Sequence, residues 1–205
     1  MKLGILGGTF DPIHIGHLIV AEEAREQLGL SHVLFMPTGQ PWLKAEIRIS
    51  PSYHRTAMVR LATESNSNFR MSSMEVDRPG ATYTLDTLRE LRKELSASTE
   101  IFFILGLDSY NSLQRWREPE KILELCTLVV VARRGFQDVD LELVESMAPG
   151  MSSRVVSLRG PLIGVSGTDI RRRIAEGRSI CYLVPKAVEE YIYKHGLYKD
   201  EGSNE

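Results

Sequence analysis

His14 and His17 stand three residues apart, just after Gly7-Gly8-Thr9-Phe10-Asp11-Pro12, and the residue types and spacing in this stretch suit the holding of phosphate. Two glycines and a threonine let the backbone turn tightly and present its N–H groups to an anion. At a spacing of three, both imidazoles point to one side of a helix mouth, toward its positive end, where they can donate hydrogen bonds to phosphate oxygens. A second stretch, Val165-Ser166-Gly167-Thr168-Asp169-Ile170-Arg171-Arg172-Arg173, pairs a hydroxyl-bearing helix start with three arginines, of which one helical face presents only some. Alone, a Gly-Gly-Thr loop is most often an ordinary strand-helix turn, a single histidine a structural one and an arginine triplet a solvated face. Two such devices at opposite ends of one α/β chain suit a long polyphosphate, such as a nucleoside triphosphate.

The elements that must position these residues follow from periodicity. An apolar strand at residues 3–6 runs into the glycine loop, and Leu18, Ile19, Ala21 and Ala24 leave it on a helical period that Gly29 ends. A second strand covers 32–36, stopped by Pro37, so the economical unit is parallel β-α-β. Residues 38–50, with Trp42, Lys44 and Arg48, read either as a substrate-facing loop or as a solvated connection. Ser50-Pro51 is expected to open a helix with serine as its N-cap, and a strand follows near 69–71. After the turn Arg78-Pro79-Gly80, residues 82–88 lead into an amphipathic helix ending near Leu95.

The strongly apolar run 101–105 exits into Gly106-Leu107-Asp108, placing a carboxylate at a strand's C-terminal edge, the ligand side of open parallel sheets. Tyr110, Leu113 and Trp116 follow at helical spacing; core packing and stacking on a planar heterocycle are equally open for Tyr110 and Trp116. A strand over 127–132 ends in Arg133-Arg134, a loosely amphipathic helix lies within 137–150, and a last strand covers 154–158. One helix starts at Ser166 and closes at Gly177, and another is expected from Tyr182 to Ile192 with Pro185 at its start. These elements predict an α/β fold, one domain over residues 1–199, with 200–205 a disordered tail.

Composition narrows the function. The 205 residues are 42% apolar, enough for a core without staples, and 25 basic against 27 acidic residues leave a net charge of −2. No overall positive field recruits nucleic acid, and no aromatics interleave the arginine triplet, so no nucleic-acid partner is expected. Cys126 and Cys181 lack paired spacing and are both expected to be buried, reduced thiols. The apolar start is too short for a signal peptide or membrane span, which predicts a cytoplasmic protein with no membrane partner. There is no Gly-x-x-x-x-Gly-Lys-Ser/Thr run and no Gly-x-Ser-x-Gly elbow. With no close Asp/Glu cluster for two metals, no protein metal site is expected and Mg²⁺ arrives with the phosphates of the substrate. The oligomeric state is left open, a homo-oligomer included.

The stretch Gly7-Gly8-Thr9-Phe10-Asp11-Pro12 with His14, Gly16 and His17 resembles the signature of the nucleotidyltransferases related to class I aminoacyl-tRNA synthetases, and Ser166-x-Thr168-x-x-Arg171 resembles their second motif. Tyr83-Thr84-x-Asp86-Thr87-Leu88, Gly106-x-Asp108, Trp116 and the closing Tyr182-Leu183-Val184-Pro185 resemble the bacterial nicotinate-nucleotide adenylyltransferases, over nearly the whole chain. The resemblance implies a Rossmann-like nucleotidyltransferase fold, an open parallel sheet with helices on both faces. It also implies transfer of AMP from ATP to nicotinate mononucleotide in NAD biosynthesis, without a covalent intermediate. By the same resemblance His14, His17, Lys44 and Arg171 neutralise the triphosphate, and Gly7, Gly8, Thr9, Phe10, Gly106, Asp108, Ser166 and Thr168 contact ATP. Thr84, by its backbone N–H, and Trp116, by stacking, serve the nicotinate nucleotide, with Tyr110 and Arg133 as further candidates there. Trp42-Leu43 before Lys44, Gly167 and Arg134 depart from the family's usual residues. Enzymes acting on nicotinamide mononucleotide or phosphopantetheine would share both end motifs, and the run from Tyr83 to Leu88 argues for nicotinate; a nucleotide-binding regulator without catalysis would be expected to have lost His17 or Arg171, and both are present.

Overall fold

The structure is a computed structural model and describes residues 1–41, 49–132, 139–160 and 163–199. Six strands, β1 (Lys2–Gly8), β2 (His32–Pro37), β4 (Phe69–Met71), β6 (Glu100–Gly106), β7 (Thr127–Ala132) and β8 (Val155–Arg159), pair in parallel in the order β4-β2-β1-β6-β7-β8. The remaining strands, β3 (Gln40–Pro41) and β5 (Ala81–Thr82), form a two-residue pair beside the main sheet. The helices are α1 (Ile15–Leu28), α2 (Ser52–Thr63), α3 (Met74–Asp77), α4 (Thr84–Glu94), α5 (Leu107–Asn111), α6 (Pro119–Leu125), α7 (Leu141–Met147), α8 (Gly167–Ala175) and α9 (Lys186–Lys194).

Alternating side chains of the central strands feed two cores. Leu6, Phe35, Ile104 and Val129 pack on one face with Ala21 and Ala24 of α1, Met58 of α2, Ile170 of α8 and Val188 of α9. Ile5, Met36, Phe103 and Leu128 pack on the other with Leu85 and Leu88 of α4, Ile122 of α6 and Val144 of α7. Helices on both faces force a parallel sheet buried on both sides, hence the near-continuous apolar strands. Chain order reverses between β1 and β6, where the crevice outside the strands' C-terminal ends is the ligand position of such sheets.

The expected six-strand pattern is found throughout. Three helix expectations are corrected. The N-cap of α2 is Pro51 rather than Ser50, whose N–H is drawn instead to Asp11 Oδ2 at 3.1 Å. Residues 182–184 stay outside α9; the Leu183 carbonyl accepts the Ile15 N–H at 3.0 Å, and a residue before proline disfavours helix. Tyr110 and Trp116 do not share a helix: α5 ends at Asn111, a 3₁₀ turn covers Leu113–Arg115, and Trp116 is extended. Cys126 is buried as expected, but Cys181 is exposed, in the turn leading to Leu183. Among the described residues no helix is long and apolar enough to cross a membrane.

Candidate active site

A cavity of about 600 Å³ opens at the β1–β6 reversal. Its floor is the end of β1, Gly7 and Gly8, running on to Thr9, and the exit of β6 at Gly106. One end is walled by His14 and His17 with the start of α8, the other by Glu75, Thr82, Thr84 and Trp116.

At the first end His14 caps α1, and its ring stacks on that of His17 with centroids 3.7 Å apart and planes 22° apart. The His14 backbone N–H donates to His17 Nδ1 at 3.2 Å, which leaves the His17 ring proton on Nε2 and makes that atom a donor. Burial pushes His14 down to about 4, so at neutral pH its ring carries no charge, and its buried Nδ1 has no partner among the described residues. Phe10, buried in the core, meets the His17 ring edge-on at 5.0 Å. Its side chain supports the histidine ring.

The two sequence motifs meet here. Arg171 Nη1 donates to the Asp11 carbonyl at 2.8 Å, and Ser166 Oγ accepts from the Asp169 N–H at 3.1 Å, capping α8. Gly167 lies so close that a Cβ would stand 2.9 Å from the Asp11 carbonyl oxygen, which gives a packing reason for glycine here. Ser166 lines the cavity, whereas Thr168 is exposed on the outer side of the same turn. Asp108 is exposed on α5, beside the Gly106 exit rather than on the cavity wall.

Three residues that hold this end escaped the sequence reading. Arg55 is 2% exposed and cross-links main-chain carbonyls of Ser50, Thr9, Thr38 and Gly39 through bonds of 2.9, 2.8, 2.9 and 3.3 Å. Asp11 Oδ1 accepts from Tyr198 Oη at 2.7 Å in the interior, and Asp11 Oδ2 takes the Ser50 N–H. The glycine loop is thereby tied to α2, to the end of β2 and to the last turn of the chain.

At the second end Thr84 is the first residue of α4, an 11-residue helix whose first N–H groups have no intrahelical acceptor. Trp116 stands edge-on to Phe103 at 6.1 Å, and its buried indole Nε1 has no partner among the described residues. Arg117 lies over the Tyr83 ring at 5.1 Å and pairs with Asp86 at 3.3 Å. Tyr110 is corrected to a core residue: it is 0% exposed, and its hydroxyl donates to the Asp140 carbonyl at 2.6 Å. Lys44 and Arg133 lie outside the described residues.

Glycine-rich backbone, two imidazoles, a guanidinium and a helix start at one end suit a polyphosphate. An aromatic ring and a second helix N-terminus at the other suit a flat, anionic group.

Comparison with known proteins gives the family. The family model described as cytidylyltransferase-like matches residues 5–173. A protein of Thermomicrobium roseum named probable nicotinate-nucleotide adenylyltransferase is 50% identical over 198 residues, covering 97% of this chain and 92% of its own. One of the same name from Thermus thermophilus is 46% identical over 199 residues, 97% of this chain and 100% of its own. Among solved structures, a Plasmodium falciparum nicotinic acid mononucleotide adenylyltransferase complexed with NaAD superposes with a TM-score of 0.77 at 20% identity, covering 96% of this chain and 97% of that one, a likeness of fold. With the family model spanning most of the sequence and half of all residues shared with a full-length relative, the chain belongs to the cytidylyltransferase-like family, among its nicotinate-nucleotide adenylyltransferases.

Proposed function

We propose that this chain transfers AMP from ATP to nicotinate mononucleotide, giving nicotinate adenine dinucleotide and pyrophosphate in NAD biosynthesis. The observation that carries the reading is a single cavity joining a triphosphate cradle to a pyridine-sized end across the β1–β6 crevice. Its 600 Å³ lies within the roughly 300–1,000 Å³ of small-molecule clefts. One domain, residues 1–199, carries the activity, in the cytoplasm where its nucleotide substrates are.

ATP enters as its magnesium complex. Among the described residues no group of three or more His, Cys, Asp or Glu is placed to hold a metal, and the donors at the cradle suit phosphate oxygens. The backbone of Gly7, Gly8 and Thr9 lies against the α-phosphate. An oxygen of the acceptor's 5′-phosphate attacks the α-phosphorus in line while the bond to the β-phosphate's bridging oxygen breaks. Pyrophosphate leaves with that oxygen, and no bond to the protein forms. His17 Nε2 and Arg171, held by the Asp11 carbonyl, meet the charge growing on pyrophosphate. An oriented N–H donor suits this task, because it meets developing charge without any proton transfer. Most of the rate then comes from alignment of two anions in one cavity. The Thr84 N–H and the Trp116 ring hold the nicotinate, and the positive end of α4 favours its carboxylate.

Pyrophosphate release with ATP and Mg²⁺ tests the reading, with nicotinate mononucleotide, nicotinamide mononucleotide and phosphopantetheine offered in parallel. Preference for the nicotinate acceptor is expected. Preference for another would keep the ATP end and overturn the acceptor assignment, and no release with any would overturn catalysis.

A further inference from the structure

Glu75 has no part in the chemistry above, yet it is an acidic residue that is 6% exposed and lines the acceptor end of the cavity. Its own helix α3 is a single turn, and Asp77 on it is exposed and receives the Ser73 hydroxyl, so only Glu75 turns inward. Among the described residues its carboxyl accepts one hydrogen bond, from a neutral donor, Thr87 Oγ1 of α4, at 2.8 Å. The nearest cation stops one group short: Arg78 Nη1 donates to that same Thr87 hydroxyl at 2.9 Å, and its Nη2 pairs with Glu90. On α4, Asp86 is matched by Arg117 and Arg89. From the α2 side Arg55 reaches the Gly39 carbonyl, and a Cβ on Gly39 would stand 2.2 Å from the Glu75 carbonyl oxygen. Among the described residues Glu75 is thus buried beside α4 with no ion pair of its own, an arrangement that disfavours its ionised form. Burial raises it to about 7, against the smaller opposing pulls of the Thr87 bond and Arg78.

A purely structural residue at this position would gain nothing from being ionisable. Facing an anionic acceptor, it gains a discriminating property. A neutral carboxyl can donate to the acceptor's carboxylate, whereas an ionised one repels it and would accept from a carboxamide. We propose that Glu75 is a specificity-determining residue of the acceptor end, whose carboxyl must hold a proton when a pyridine carboxylate enters, so that acceptor and proton bind together. The inference rests on the acceptor assignment made above. The proton comes from solvent, and no covalent step is involved.

The test is the acceptor KM between pH 7 and pH 9 at saturating magnesium-ATP, for the native protein and Glu75→Gln. This window lies above the second ionisation of a phosphate monoester, about 6, and above His14 at about 4. In the native protein KM for nicotinate mononucleotide should rise, approaching about tenfold per pH unit, while KM for nicotinamide mononucleotide stays flat. Glu75→Gln keeps an acceptor for the Thr87 hydroxyl and resembles the protonated acid. Its nicotinate KM should lose the slope. A second readout needs no variant. Calorimetric titration of the native protein with nicotinate mononucleotide at pH 8, in two buffers of different ionisation enthalpy, should show uptake of close to one proton. An unchanged slope in Glu75→Gln, or binding without proton uptake, overturns the inference while leaving the function intact. No turnover of the nicotinate acceptor at any pH overturns both.

Discussion

At the triphosphate end the contacts join residues far apart in the chain: Arg171 reaches the Asp11 carbonyl across 160 positions, and Tyr198 reaches the Asp11 carboxylate across 187. At the acceptor end they are near neighbours, Thr87 with Glu75 at 12 positions and Arg78 with Thr87 at 9. The two ends also hold opposite buried acids and bases. His14 is kept neutral by losing its proton and Glu75 by keeping one, both because burial penalises charge. One end is a frame of main chain and rings set for anions of fixed charge. The other is a small polar cluster whose own charge is adjustable.

The contrast should break most severely at His17. Replacing it with alanine is expected to lower kcat by about 10²–10³-fold, as for loss of an oriented donor to developing charge, while acceptor KM changes little. Steady-state kinetics in both substrates, with a melting curve as control, checks this. An acceptor KM that rises alongside would show the ends to be less separate than described.

Stability against pH sharpens the comparison, because the two groups have opposite signs. The His14 contribution is whole above about 6.5, the unfolded value, and is lost as pH falls toward about 4. That of Glu75 is whole below about 4.5 and is lost as pH rises through about 7. On the order of 3 kcal/mol rides on each. Urea unfolding from pH 4 to 8 should show His14→Asn removing the loss of stability as pH falls from 6.5 to 4, and Glu75→Gln removing the loss as pH rises from 4.5 to 7.

Smaller effects are expected from the supports. Tyr198→Phe leaves Asp11 Oδ1 buried without its donor and should cost about 1–3 kcal/mol in urea unfolding. Its kinetic effect should fall on ATP. Trp116→Ala should raise acceptor KM by about tenfold with ATP KM unchanged, the value of a lost aromatic stack. A shift in ATP KM instead would move Trp116 out of the acceptor end.

Legibility in the sequence did not follow contact distance. The triphosphate end, assembled from both ends of the chain, is readable because glycine, histidine and arginine at fixed spacing announce their chemistry locally. The six strands are readable because burial on both faces leaves unbroken apolar runs. Glu75 carries no such mark: a glutamate in a four-residue helix looks solvated, and only the packing of α3 on α4 and Gly39 buries it. Arg55 did leave a signal. It lies on the stripe of Met58, Val59 and Ala62 at helical spacing, and a cation on an apolar stripe needs buried acceptors, here four carbonyls. Trp116 and Tyr110 were indistinguishable by spacing, since the break after Asn111 that separates them is set by tertiary packing.

The most direct measurement is a crystal structure of the protein with nicotinate adenine dinucleotide bound. The account predicts its pyrophosphate over Gly7, Gly8 and Thr9 beside His17, and its pyridine ring against Trp116 with the carboxylate at the Thr84 N–H. A dinucleotide with its pyridine outside the wall formed by Thr84 and Trp116, or its pyrophosphate away from the glycine loop, would contradict it.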